Sequence, residues 1–504
     1  MSPECNTGGC DDPNVVSSGN ATPPAPAYAP GAETIDPRRA AEEHMARFPA
    51  GVDPRVADRV PGFDAPFFQA GLAGYSDAAM RIIARRHGCP FCVTESLLDR
   101  TLLAGGRGFA KADLGELHDN VPGGDEDRPL AGQIMGSDPR EMAAAALKMA
   151  EQGARSEKPY RALAYAVPGQ HPSTHASARR HLRLPGGEQL PPFDPAASLH
   201  APNPSARHLA TAPPRHLSSF AAIDVNLACP VKKIDRKARG GHWLREPEGA
   251  IAILEAVRQA VPAHIPCTVK LRRAYDDTPE MAESFERLFD AAYRMGYAWA
   301  TVHARTVEQK YVGPSRWTFL RDLVRRHPER PVFGSGDAWT AGEVFRMIAY
   351  TGVAGVSVAR GCIGNPWIFR QARDLMAGRQ PAPPTIEQQR DVLLEHFRLA
   401  LAVNSPMRRA EVATARMMRK FGIRFAAHHP RGDEVRRRMI AVSTREDWER
   451  AVDDLYGPIP RPPRASVGGP TPGPRPGLVR APLTASPCSS SPPGGTPVPG
   501  SADS

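Results

Sequence analysis

Long apolar runs are missing from this 504-residue chain. With no stretch of about 18 apolar residues, a membrane-spanning helix is not expected. No basic, apolar and small-residue succession opens the chain, so no secretory leader is expected and the chain is assigned to the cytoplasm, with reduced thiols. Cysteine is scarce and scattered, eight in all. Cys5 and Cys10 stand near the start and Cys488 near the end. Cys89-Pro90-Phe91-Cys92 is a lone C-x-x-C with no second pair. A zinc site needs further ligands at close spacing, so this pair reads as buried thiols at a strand start, with redox or metal chemistry as the lesser alternative. Three segments also lack periodic apolar residues: 1–62, 154–219 and 457–504. Residues 458–499 hold 14 of the 54 prolines and 155–219 another 11. Such segments cannot offset their ordering entropy and are expected to be a disordered tail, a disordered insertion and a disordered Pro-rich tail. The insertion carries six of the sixteen histidines, irregularly spaced, which favours a solvated segment over a metal site.

What remains, roughly 325 residues, is enough for one large domain and a small one. Across 63–384, apolar strand-like runs alternate with helix-like patterns. Strands are expected at 66–70, 91–94, 130–135, 221–227, 267–271, 298–303, 331–334 and 355–359, each followed by a helix. Ser76 is the expected N-cap of the first helix and Gly88 its C′ residue. Eight such units indicate a closed α/β barrel, a (β/α)8 TIM barrel, with an open doubly wound sheet as the alternative. From 385 to 456 the pattern is helical only, a small all-helical domain. There, 404–440 carries ten Lys/Arg against three acids. A solvated charged face would explain this, but a seven-charge excess, crowded around Arg408, Arg409, Arg416, Arg419, Lys420 and Arg424 with Phe421 and Phe425, is the footprint expected for a polyphosphate backbone.

In a barrel the C-terminal strand ends converge on one mouth, where chemistry is placed. This chain brings there the 71–74 loop, Glu95, Gln133, Asn226 with Cys229, Lys270 with Arg272, His303 with Arg305, Gly334-Ser335-Gly336-Asp337, and Ala359-Arg360-Gly361. Pro230 stops the fourth strand, so the Cys229 thiol sits on the loop beyond it. A buried structural cysteine is the plain alternative. The last two loops suit a phosphate, since glycines let backbone N–H groups approach an anion. Lys270, at the end of an apolar strand, needs an anion, either a reduced flavin or, structurally, Glu95. No His or Asp adjoins Cys229 in a nucleophile–base arrangement, so a general-acid role over a flavin, in the reduction of an activated C=C bond, fits better than hydrolysis.

The stretch 226–240, Asn-Leu-Ala-Cys-Pro-Val-Lys-Lys-Ile-Asp-Arg-Lys-Ala-Arg-Gly, resembles the signature loop of the tRNA-dihydrouridine synthases, nearest to the bacterial B-type branch. The resemblance extends over 69–81, 133–142, 269–272, 302–317, 333–338 and 355–369, and more loosely over 386–456. It implies an FMN-binding barrel followed by a helical tRNA-binding domain, and NADPH-driven reduction of a tRNA uridine to 5,6-dihydrouridine. It implies that Cys229 protonates C5 while hydride reaches C6, and that Asn226, with Arg305, holds the substrate. It assigns Gln133, Lys270 and His303 to the flavin ring and ribityl region. Gly336, Asp337, Arg360 and Gly361 go to the phosphate end, with Ser335 and Ala359 beside them. The target base must leave the tRNA stack to reach the barrel floor. The partner implied is tRNA, with no stable protein partner. Four positions depart from the family pattern: Gly71, Ala228, Ser335 and Ala359. All border the expected flavin site, where an added methyl can impede backbone approach to a ligand. Two other readings accompany this one: an FMN-barrel oxidoreductase on a small enone or dihydropyrimidine, which has no use for the basic segment, and a catalytically degenerate RNA-binding relative, which would not need Cys229.

Overall fold

A computed structural model describes residues 29–104, 126–151, 220–404 and 407–457. The expected insertion and the C-terminal tail lie outside the described residues, apart from Gly457.

Eight parallel strands close a barrel. They are β1 (Phe67–Gln69), β2 (Cys92–Val93), β4 (Leu130–Met135), β5 (Ala222–Leu227), β6 (Cys267–Arg272), β7 (Ala300–His303), β8 (Val332–Ser335) and β9 (Gly355–Val358). Each pairs with the next, β9 pairs back to β1, and β2 pairs β4. The short β3 (Leu97–Leu98) runs on beyond β2 along β4, with Leu97 opposite Ile134. Nearly every strand residue is buried, as expected for strands covered by helices outside and by packed side chains inside.

The covering helices are α3 (Ala78–Arg86), α4 (Asp99–Ala104), α5 (Pro139–Glu151), the single turn α6 (Lys232–Asp235), α7 (Pro247–Ala260), α8 (Pro279–Arg294), α9 (Trp317–Arg326), α10 (Ala341–Thr351) and α11 (Trp367–Met376). Local chemistry sets their ends. Thr340 and Glu343 form a capping box on α10, which Gly352 terminates at φ +76°. The N-cap of α3 is Asp77, not Ser76: its carboxylate accepts from the Met80 N–H, whereas the Ser76 hydroxyl bonds Leu72 within the loop.

Residues 29–62 depart from the expected disordered tail. Helix α1 (Pro37–Arg47), preceding α3, packs against α10 and α11, and the short α2 (Pro54–Ala57) follows it. Val52, Val56, Val60 and Phe63 then close the barrel bottom. The Phe63 ring stacks on Phe91 at 4.9 Å and on Phe333 at 5.7 Å, with Phe68 and Trp299 edge-on. The apolar residues that do this fall three or four residues apart between prolines, too few to register as an amphipathic helix.

After the barrel come α12 (Ile386–Asn404), α13 (Ala410–Gly422), α14 (Gly432–Ala441) and α15 (Arg445–Tyr456). They form one compact unit with the barrel, α12 lying on α3. Phe421 and Phe425 are core residues of this bundle rather than exposed stacking surfaces. The Cys89/Cys92 pair is also buried, its sulfurs 3.9 Å apart.

Candidate active site at the barrel mouth

Strand register puts the polar residues on one inner face. Gln133, Asp224 and Thr268 stand directly opposite one another on β4, β5 and β6. One pleat higher, Asn226 faces Lys270, which faces Thr301; above that, Arg272 faces His303, which faces Ser335. Period-two alternation therefore stacks a polar column on an apolar floor of Phe68, Phe91 and Trp299. Between column and floor lies a cavity of about 10 Å³, room for about one water, bounded by Gln133, Asp224, Lys270 and Thr301.

The peptide before Cys229 is gripped on every side. The Ala228 N–H donates to Asn226 Oδ1 at 2.9 Å, Arg272 Nε donates to the Ala228 carbonyl at 2.9 Å, and the Gly241 N–H donates to the Cys229 carbonyl at 3.0 Å. Gly240, at φ +58°, packs on the cysteine so closely that a Cβ there would lie 2.7 Å from Cys229 Cβ. The thiol is in no disulfide and is partly exposed. Ala228 has no positive φ, so its methyl adds no backbone strain to this turn.

Charge at the mouth is mostly positive. Burial lowers the Lys270 amine, opposed by the carboxylate of Asp224; Asp224, not Glu95, is the acid acting on it. Burial also pulls Arg272 down to about 10, still charged at neutral pH. Burial and the cations Arg272, Arg305, Lys270 and Arg360 push His303 well below the ordinary histidine value, so its ring is neutral. His303 Nδ1 accepts the Arg305 N–H at 3.2 Å, which assigns the ring proton to Nε2.

A second cluster joins the ends of β7, β8 and β9. Arg305 donates to both Asp337 oxygens, at 2.7 and 2.8 Å, and to the Gly313 carbonyl. Arg305 is thus engaged by Asp337 and the Gly313 carbonyl, whereas a substrate role beside Asn226 had been expected. Asp337 sits at φ +57°, held by Arg305 and by the Ser315 N–H at 2.7 Å. Its carboxylate pairs with Arg305 at 2.7 Å and lies 3.7 Å from Arg360. Gly336 is at φ +111°, and a Cβ there would lie 2.2 Å from Ser315 Oγ. Gly361 packs on the turn after β8, where a Cβ would lie 2.2 Å from the Ala338 carbonyl. Ser335 donates to the Ser357 carbonyl at 3.3 Å, and Ala359 precedes the turn Arg360–Cys362 without positive φ. At Gly71 a Cβ would lie 2.3 Å from the Thr94 carbonyl, so this departure gives β1 and β2 a close approach.

Arg305 Nη1 and Ser315 Oγ are buried at this mouth without a protein partner. Two arginines, an unpartnered hydroxyl and a glycine-opened backbone fit the phosphate end of a mononucleotide, and Lys270 and neutral His303 fit an electron-accepting ring. Two mouth residues were undervalued in the sequence. Asp224 is an acid inside an apolar strand, a signal in itself. Tyr311, exposed in the β7–α9 loop, has Arg272 and Arg360 at 5.5 and 5.1 Å from its ring and gave no periodic signal.

Residues 206–456 match the family model described as Dihydrouridine synthase (Dus). A probable tRNA-dihydrouridine synthase of Mycobacterium leprae is 32% identical over 256 residues, 49% of this chain and 64% of that protein. One from Treponema pallidum is 34% identical over 239 residues, 46% of this chain and 68% of that protein. The chain belongs to the dihydrouridine synthase family. Its match spans 64% and 61% of the lengths of the M. leprae and M. tuberculosis relatives, somewhat under two thirds. Among solved structures, an old yellow enzyme homologue from Zymomonas mobilis superposes over 65% of this chain and 92% of its own at a TM-score of 0.35 and 14% identity, too distant to bear on the chemistry.

Proposed function

We propose that this chain reduces a uridine of tRNA to 5,6-dihydrouridine, with FMN as cofactor and NADPH as reductant. The observation that carries the reading is the gripped Cys229 turn beside Asn226, Lys270 and an anion cradle at one barrel mouth. Arg305, Arg360, Gly336 and Ser315 would hold the FMN phosphate, with Asp337 orienting the arginines. Gln133, Lys270 and His303 would border the ring. Bound there, FMN supplies hydride to uracil C6.

Cys229 does the complementary work. Its S–H bond breaks as a C–H bond forms at C5, and solvent returns the proton to the thiolate. Asn226 holds the uracil against this thiol. Arg272 fixes the Ala228 carbonyl and adds positive charge where the reduced ring and the enolate-like base are negative. The β1 loop and the floor of aromatic rings keep bulk water from the column. None of the five described cysteines is in a disulfide, which suits a cytoplasmic setting.

The purified protein is expected to show flavin bands near ~375 and ~450 nm, bleached by NADPH and restored by uridine-containing tRNA. Cys229→Ala should keep the flavin and its bleaching while tRNA reduction falls about 100-fold or more. Full activity in that variant would remove the acid role; a protein that binds no FMN would remove the reading itself.

A further inference from the structure

Four hydrogen bonds run in series from the middle of the barrel to the Cys229 turn. Thr268 Oγ1 donates to Asp224 Oδ1 at 2.6 Å. Gln133 Nε2 donates to Asp224 Oδ2 at 2.7 Å, and Asn226 Nδ2 donates to Gln133 Oε1 at 2.8 Å. The Ala228 N–H donates to Asn226 Oδ1 at 2.9 Å. All five residues are buried, between 1 and 7% exposed. At such sites polar groups must be paired, and an amide turned the wrong way leaves two donors or two acceptors facing each other.

The polarity of this series is fixed at both ends. A carboxylate only accepts, whereas each amide carries a donor and an acceptor end. Asp224 therefore draws the NH2 end of Gln133. That leaves Gln133 Oε1 for Asn226, which must answer with its own NH2 and so turns Oδ1 to the Ala228 N–H. Thr268 imposes nothing, because a hydroxyl serves either role. Lys270, which acts on Asp224 electrostatically, supplies the countercharge. The backbone N–H of Ala228 closes the far end with the same sense, so the series is consistent only in this direction.

We propose that Asp224, which lies one pleat below Asn226 and acts through Gln133, is a positioning residue. It fixes the orientation of the Gln133 and Asn226 amides, and through Asn226 the Cys229 turn. This rests on the functional reading above for its consequence in uridine reduction, but the relay itself is a property of the protein alone.

The test uses Asp224→Asn and the double variant Asp224→Asn/Gln133→Glu. An amide at position 224 no longer dictates a sense, since either its oxygen or its NH2 can face Gln133, and the series is then fixed only at its Ala228 end. With a carboxylate at position 133 as well, that one group accepts from both the introduced amide and Asn226, and the Asn226 orientation is restored. The double variant also keeps a buried carboxylate near Lys270, so it remains informative where the single variant folds poorly. In cofactor-free protein, the alkylation rate of Cys229 by iodoacetamide, read on its own peptide by mass spectrometry, is expected to rise about 3- to 10-fold in the single variant and to return to the wild-type rate in the double. In the FMN-loaded enzyme, tRNA-dependent flavin reoxidation should slow about 10- to 100-fold in the single variant, with reduction by NADPH within about twofold. Equal alkylation rates in all three proteins, or a double variant no better than the single, would overturn the relay. A wild-type protein that reoxidises with no tRNA, while the alkylation pattern holds, would leave the relay standing and sink the functional reading instead.

Discussion

His396 shows how a single buried group ties this fold to pH. Its ring packs tilted against Phe421 with centroids 4.4 Å apart, its Nε2 has no partner, and burial holds its pKa at about 3 against an ordinary 6.5. Between those values the unfolded chain binds a proton that the folded chain does not. Stability is therefore complete above about pH 6.5 and falls as pH drops, by up to about 1.4 kcal/mol per pH unit. His396→Leu removes the group at similar volume. The stability lost between pH 7 and pH 5, from urea midpoints, should shrink by about 2 kcal/mol; an unchanged loss would place the acid sensitivity elsewhere. Legibility varied residue by residue at the mouth as well. Cys229, Asn226 and Lys270 could be read because strand ends and a following proline fix where they point. The work of Asp337 could not, because its acceptors and its positive φ depend on Ser315 and Arg305, which other loops deliver.

At the scale of elements, the eight barrel strands were legible because each is a short apolar run bounded by turn residues and followed by a helical pattern. The closing pair β9–β1 needed only that all eight be found. The bottom plug was not legible. Its segment spans about a dozen residues, is broken by prolines, and is apolar only at Val52, Val56, Val60 and Phe63, so local pattern gives no hint that a tertiary cavity awaits it. Phe63 is nonetheless 1% exposed and touches four aromatic rings. Phe63→Ala should cost about 3–5 kcal/mol, since those rings sit on, or just before, four separate strands and cannot collapse into the space. Denaturant unfolding measures it, and a loss under about 1 kcal/mol would mean the segment merely lies on the barrel.

Across the whole molecule the charge is +10, but its distribution matters more than its sum. Several basic residues of the helical bundle are already occupied. Arg438 pairs with Asp454, Arg445 with Glu411, and Arg431 with Glu434. Lys420 turns inward: its amine donates to the Gly74 carbonyl, lies over the Tyr75 and Phe421 rings, and is lowered by burial. It ties α13 to the β1 loop rather than facing solvent. Arg408, Arg409 and Arg416 are exposed, the last two spaced two helical turns apart. If tRNA lies along α13, these three meet its phosphates and Lys420 does not. Converting Arg408, Arg409 and Arg416 to Gln should then lower the slope of log affinity against log salt by about 2–3, roughly 0.7–0.9 per lost phosphate contact. Lys420→Met should leave that slope unchanged. Filter-binding titrations over a series of salt concentrations read both, and a triple variant with the wild-type slope would move the RNA surface off this helix.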